Sequence, residues 1–365
     1  MTPVSRFQSE RGRAGAWIAA AFALVLVAAA LAVGRVTLNS PSQGSSVRSS
    51  ADARPAPELT GLGQWFNSPP LTLRSLRGKV VLVDFWTFSC INCVRTIPGL
   101  RALYERYKPF GLEIVGVHSP EFGFEKVPKN VEDAAKRLRV TWPVAMDNNL
   151  LTWRAFDNHY WPATYFVDRA GKIRYDHVGE GDEAEQETQL RALLAEGGRE
   201  LPAPVSMAEP SFDRNLTPEI YAGFDRGILA RTIANPQQYR PSQAFTYTAP
   251  SQGTLAKADT EGHIYLAGSW TANAEFIRAN GPAQVFLPFF ARTVFFVAES
   301  SPESDVRLLL DNKPLGSAAG GDAAGGVIHA GRSDLYGVVT LPKAGRHLLV
   351  LEVTKGFALY TFTFG

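Results

Sequence analysis

The only two cysteines of this 365-residue chain stand three apart, as Cys90-Ile91-Asn92-Cys93, at a point where one local pattern gives way to another. Before them, Val80-Val81-Leu82-Val83-Asp84-Phe85-Trp86 is an apolar run broken by a single acid, as expected of a strand buried on both faces. After them, Val94, Ile97, Leu100, Leu103, Tyr104 and Tyr107 fall at helical spacing, with Pro98 as an expected kink. Leu112 to Val117 is a second buried run. Strand, helix and strand in this order predict a βαβ unit with a parallel sheet. Two cysteines also exclude a disulfide scaffold, an all-cysteine zinc site and an iron–sulfur cluster.

Two cysteines three apart at a helix start bring their sulfurs within bonding distance. The first lies at the positive end of the helix dipole, among unpaired backbone amides that stabilise a thiolate. A dithiol needs this arrangement to attack a disulfide and then resolve the mixed intermediate. A half zinc site is a rival reading, but its other ligands would come from scattered histidines. A structural disulfide is the plainer one, and a loop closed over two residues constrains little chain entropy. Asp84 is either a satisfied structural acid or a proton carrier, and a carboxylate inside a run of valines is costly without a task. Trp86 reads as core, and His118 and His159 as loop or core residues.

The α/β pattern continues with a helix over Val131 to Leu138 capped by Asn130, an apolar piece from Pro143 to Met146 and a short helix from Leu150 to Phe156. A hairpin follows, with strands Thr164 to Val167 and Ile173 to His177 joined by Asp168-Arg169-Ala170-Gly171. A last helix spans Glu183 to Leu194. At the other end, residues 14–33 are free of charge and follow Arg6, Arg11 and Arg13, which predicts a transmembrane helix whose short N-terminal side stays in the cytoplasm. A cleaved signal peptide is the alternative. The serine-rich stretch 35–58 reads as a disordered tether.

After Glu200, Pro202, Pro204 and Pro210 mark a linker over 197–218, and beyond Thr217-Pro218-Glu219 helical periodicity disappears. Runs at 264–267, 283–287, 293–297, 306–310, 336–341, 347–353 and 358–364 recur at the spacing of a β-sandwich. No cysteine and no recognisable catalytic motif lies in 219–365, so this half reads as a binding or structural module that folds alone. Its deletion is then expected to leave the dithiol chemistry nearly unchanged. The net charge is +2 and neither half is basic, so the electrostatic footprint of nucleic-acid binding is missing.

Val83-Asp84-Phe85-Trp86 followed by Cys-x-x-Cys, Pro98 in the helix and Trp161-Pro162-Ala163-Thr164 before a strand resemble the thioredoxin family. The resemblance implies Cys90 as nucleophile, Cys93 as resolving thiol, Asp84 as the buried acid that helps move the Cys93 proton, and Pro162 as a cis, substrate-docking residue. Ile-Asn replaces the family's Gly-Pro and Ser89 its tryptophan, which leaves the direction of electron flow open. The approach through Asn67 to Lys79 and the segment Ser119-Pro120-Glu121-Phe122 look like the membrane-tethered TlpA-type redoxins. Thr87-Phe88-Ser89-Cys90 also echoes the peroxiredoxin peroxidatic loop, so thiol peroxidase ranks second.

The whole of 59–365 resembles the extracytoplasmic part of DipZ-type proteins, with Phe85 to Cys93, Tyr160-Trp161-Pro162-Ala163 and the ending Tyr360 to Gly365 as its most recognisable pieces. That likeness implies a thioredoxin-like α/β domain over 59–196 and, over 219–365, an all-β jelly-roll sandwich of the galactose-binding, carbohydrate-binding-module type. Trp270, Tyr265 and Phe289 either stack on a sugar or pack the core. The expected protein is a thiol–disulfide oxidoreductase with no cofactor beyond its Cys90–Cys93 disulfide. A single N-terminal anchor in the bacterial inner membrane would hold its domains on the periplasmic side. Its expected partners are protein thiols and disulfides, a separate membrane electron donor of the CcdA or DsbD type and a possible glycan. A non-catalytic cell-envelope binding protein is the remaining reading.

Overall fold

Every residue of Val80–Trp86 is buried, so this strand must be covered on both faces, and the chain supplies helices for each. The computed structural model describes residues 48, 49, 51–205, 215–259 and 262–365. In chain order the first half contains β1 (Arg54–Pro55), β2 (Trp65–Phe66), β3 (Val80–Trp86), α1 (Ile91–Tyr107), β4 (Leu112–His118), α2 (Pro128–Arg137) and β5 (Val144–Met146). It continues with α3 (Leu151–Ala155), β6 (Ala163–Val167), β7 (Lys172–Val178) and α4 (Glu183–Ala195). The sheet has seven strands in the order β1-β7-β6-β3-β4-β5-β2. The expected parallel pair is β3 with β4, β5 adds a further parallel neighbour to β4, and β6 and β7 form the antiparallel hairpin. This is a thioredoxin-like fold.

The alternation along β3 decides what meets what. Val80, Leu82 and Trp86 pack with Ile97, Leu100 and Leu103 of α1 and Leu190 of α4, whereas Val81, Val83 and Phe85 pack with Trp153 and Phe156 on the other face. Asp84 therefore shares the α1 side of the sheet with Leu82 and Trp86. In the β6–β7 hairpin Gly171 has φ +73°, and a Cβ there would overlap the Arg77 guanidinium, so both backbone and neighbour demand glycine.

Two sequence expectations need correction here. The second helix begins at Pro128 with Val127 as its cap, because proline suits the first helical position. Asn130 lies inside the first turn, and its amide donates to the Phe124 carbonyl at 2.9 Å. The tether expected over 35–58 is docked in its described part: Arg48 pairs with Asp176 at 2.8 Å, Arg54–Pro55 pairs with β7, and Glu58 accepts from the Leu73 amide at 2.6 Å. Sheet-edge hydrogen bonds and two ionic groups hold a segment whose composition offers little to bury. The expected anchor at 14–33 lies outside the described residues, and among the described residues no helix is long and apolar enough to cross a membrane.

The second half is a nine-stranded antiparallel sheet. Its strands are β8 (Ile220–Tyr221), β9 (Ala244–Tyr247), β10 (Tyr265–Ala272), β11 (Ile277–Ser300), β12 (Ser304–Leu310), β13 (Lys313–Pro314), β14 (Val327–Ala330), β15 (Asp334–Val353) and β16 (Phe357–Phe364). The separate runs expected at 283–287 and 293–297 belong to the single strand β11, and those at 336–341 and 347–353 to β15. Bulges near Ala291 and Val294 let each ladder continue through the irregular stretch. Two short helices interrupt the β pattern, α5 (Phe224–Ala230) and α6 (Gln252–Lys257), against the expectation that helices end before this half. Trp270 and Phe289 are buried in its core and Tyr265 is half-buried, so the first two pack rather than present a face.

The halves share apolar packing. Phe122 from the loop after β4 is buried with Val297, Ala358 and Tyr360 of the β half, and Phe124 stands edge-on to Tyr360 at 5.0 Å between ring centres. Arg137 on α2 pairs with buried Asp334 at 2.8 Å, and the Arg95 guanidinium, two residues past Cys93, lies over Phe295 at 5.5 Å. Phe122 and Phe124 of the first half are thus covered in part by residues of the β half.

Candidate functional site

Cys90 is the residue at which β3 has ended and α1 has not begun. Its backbone is extended (φ −83°, ψ 113°), it caps α1, and its Sγ accepts from the Cys93 amide at 3.4 Å. A sulfur in that position feels the unpaired amides and dipole of a helix 17 residues long. Cys90 is half-buried while Cys93, one turn inside, is fully buried, and both are free thiols. Burial first, and then the hydrogen bond and charge of Cys90, push the Cys93 thiol well above its ordinary range. The pair is thus asymmetric: one sulfur reachable at a helix N-terminus, one shielded and reluctant to ionise.

Asp84 lies under this pair. It is 2% exposed and burial raises its carboxyl to about 7, against which a hydrogen bond from Thr164 Oγ1 at 3.0 Å acts. Its charge is one of the influences that raise the Cys93 thiol. A carboxyl that changes protonation near neutrality beside a shielded thiol can accept a proton from it and return it. Pro162 follows a cis Trp161–Pro162 bond and leads into β6, so the segment that supplies Thr164 also carries the proline. Trp161 packs at a tilt against Trp153, 4.3 Å between ring centres, and donates from Nε1 to the Ser119 carbonyl at 3.0 Å. Cys90, Cys93 and Asp84 thus converge where β3 meets α1, with the Pro162 segment fixed through Thr164 and Trp161.

The other candidates separate. Trp86 is core, edge-on to buried His118. Burial lowers the His118 imidazole to about 3, which keeps it neutral. His159 is exposed beside Asp157 at 3.2 Å.

Sequence reading missed a second acid. Glu125, in the loop after β4, is fully buried and accepts from Ser89 Oγ at 2.6 Å and from Thr87 Oγ1. Its other oxygen accepts from the amides of Glu121 at 2.5 Å and Phe122 at 3.0 Å. Thr87 spends its hydroxyl proton on Glu125, so towards His118 Nε2 at 3.3 Å it is the acceptor, and the ring carries its proton on Nε2. The one available signal was an acid amid Phe122, Phe124 and Val127, and it does not say which hydroxyls 36 and 38 residues away the acid meets.

Comparison with known proteins gives matches over both halves of the chain. Residues 53–176 match the AhpC/TSA family and residues 217–365 match the thioredoxin like C-terminal domain. Protein DipZ of Mycobacterium tuberculosis is 35% identical over 318 residues, 85% of this chain and 43% of that protein, so the chain spans less than half the length of this relative. Thiol-disulfide oxidoreductase YkuV of Bacillus subtilis is 29% identical over 39% of this chain and 96% of its own length. Among solved structures, the solution structure of a thioredoxin-like protein in the oxidized form is 31% identical, covering 40% of this chain and 97% of that one at a TM-score of 0.37. This chain is a homologue of Protein DipZ over 85% of its own length, with an AhpC/TSA family match over 53–176 followed by a thioredoxin like C-terminal domain match over 217–365.

Proposed function

We propose that the chain is a membrane-tethered, extracytoplasmic enzyme that exchanges disulfides with protein substrates through Cys90 and Cys93. One observation carries this reading: a half-exposed sulfur caps a helix while its partner, three residues on, is buried over a carboxyl raised to about 7. Cys90 attacks a substrate disulfide, giving a Cys90–substrate mixed disulfide and releasing the substrate's other sulfur as a thiol. Cys93, its proton passed to Asp84, attacks the Cys90 sulfur, closes the Cys90–Cys93 disulfide and frees the reduced substrate. Pro162, immediately before β6, is where the substrate chain docks.

The uncharged segment 14–33 supports a single anchor in the bacterial inner membrane with the folded part on the periplasmic side. A Cys90–Cys93 disulfide formed there must be reduced again by thiols on the same side, for which we propose a membrane donor of the CcdA or DsbD type. We read the β half as a jelly-roll sandwich of galactose-binding-like form. The support is β11, which pairs with β15 along most of its length, mainly with β10 in its first half and with β16 in its second, so one ladder folds over a common core. A glycan ligand of this half would need side chains other than Trp270 and Phe289.

Thiol peroxidase is the second reading, favoured by the AhpC/TSA match over 53–176. Against it, the Thr87 hydroxyl is fully buried and donates to Glu125, away from any peroxide at Cys90. A C93S variant of the reduced protein is expected to trap mixed disulfides with envelope proteins, and C90S to trap none. Rapid peroxide consumption through a sulfenic acid at Cys90, with no trapped partners, reverses the order of the two readings.

A further inference from the structure

We propose that Glu125 is a positioning residue for the Cys90 thiol, gripping the segment Thr87–Ser89 on one side while the β half grips the loop that carries it on the other. This rests on the thiol-exchange reading and extends it to a residue outside the dithiol.

Four donors converge on one carboxyl: two hydroxyls from the turn between β3 and Cys90, and two amides from its own loop. That set suits the anion, which only accepts; a protonated acid adds a fifth hydrogen and must displace Ser89 or Thr87. No cation pairs with Glu125 among the described ion pairs. A buried acid without a counter-ion is expensive to keep, and an amide would fill the same space at less cost. Its use is geometric: Ser89 immediately precedes Cys90, so holding Ser89 fixes where the Cys90 sulfur meets the Cys93 amide.

The charged and titratable groups facing this site come from three sides. Glu121 lies on the same loop and its charge acts on Glu125, His118 of β4 meets the Thr87 hydroxyl that Glu125 holds, and Cys90 directly follows Ser89. The β half reaches Glu121 with Arg226 Nη1 at 2.6 Å and the Tyr221 hydroxyl at 2.8 Å, and that hydroxyl also lies 2.9 Å from Glu219. Glu275 accepts from the Gly123 amide at 2.8 Å, and Phe122 and Phe124 pack on Tyr360. The loop carrying Glu125 is therefore clamped between the redox centre and the β half. Burial raises the Glu125 carboxyl to about 7, so its grip on both hydroxyls is complete only above neutrality.

The test uses the reduced full chain and follows iodoacetamide labelling of Cys90 against Cys93 from about pH 5 to about pH 9, together with the reduction potential of the pair in glutathione buffers. Asp84 also sits at about 7, so the profile is read beside D84N: the step near pH 7 that belongs to Glu125 is expected to persist in D84N and to be absent from E125Q, whose melting temperature is kept. E125A and S89A are expected to slow Cys90 labelling roughly fivefold at neutral pH, the factor carried by loss of a helix cap. If folded E125Q and S89A both keep the wild-type profile and potential, Glu125 has no positioning role. Should E125A not fold, those two variants decide the matter. Labelling reads the thiol whether or not protein disulfides are exchanged. A wild-type chain that shows the step but reduces no disulfide sinks the enzymatic reading alone.

Discussion

At the scale of single residues, the site is a set of acids in places where ionisation is opposed. Asp84 illustrates the direction of the effect. Its carboxyl sits at about 7 in the folded chain against 3.8 in water, so the folded state holds this proton more tightly than the unfolded state. The folded state accordingly loses stability as pH rises from about 4 to about 7, and above that range the buried charge costs up to about 4 kcal/mol. Asp84→Asn should therefore resist urea better than wild type at about pH 8 and lose that advantage near pH 4. The same variant should release Cys90-linked mixed disulfides more slowly, because the Cys93 proton has lost its acceptor. Equal urea midpoints at both pH values would show that Asp84 is solvated and that its placement in β3 has no thermodynamic consequence.

At the scale of elements, β3 and β4 show how much a neighbour controls. Gly116 of β4 pairs opposite Asp84, and a Cβ there would lie 3.0 Å from Trp86 Nε1 and 3.2 Å from Trp142 Nε1. The glycine is what allows two indoles to close over the sheet next to the acid. Gly116→Val should cost about 1–3 kcal/mol through overpacking, read as a lowered urea midpoint with an unchanged slope. An unshifted midpoint would mean that the indoles relocate freely. Elsewhere the elements follow their local signals. The 17-residue helix α1 tolerates Pro98 while burying Ile97, Leu100 and Leu103 against the sheet. β6 and β7 meet at the Asp168–Gly171 turn, where Asp168 accepts the Lys172 amide at 2.8 Å.

At the scale of the whole molecule, the loop 119–126 is the joint. Phe122 is 2% exposed and shares its cluster with Tyr360 and Val297, residues more than 170 positions away in the chain. Phe122→Ala should cost about 3 kcal/mol, as large-to-small changes in a packed cluster do, and should split denaturant unfolding into two transitions. Tryptophan fluorescence separates them, since Trp86, Trp142, Trp153 and Trp161 report the redox half and Trp270 the β half. One cooperative transition of undiminished midpoint would show that the halves are held together elsewhere, through Arg137–Asp334 and Arg95–Phe295.

The βαβ unit, the hairpin and the position of the dithiol were readable from the sequence because each depends on residues within about one turn or one strand of one another: period, turn chemistry and a cap are local. Cys90, Cys93 and Asp84 could be singled out for that reason, and so could Pro162 from the motif around it. The partner of Asp84, Thr164, could not, since it is set by which strand pairs beside β3. Long strands such as β11 read as two because bulges interrupt their alternation while cross-strand hydrogen bonds carry on through them. Only the tertiary structure brought Glu125 under Ser89 and Tyr360 against Phe122. Both contacts join segments whose sequences satisfy their own local rules without each other, and burial alone decides that they meet.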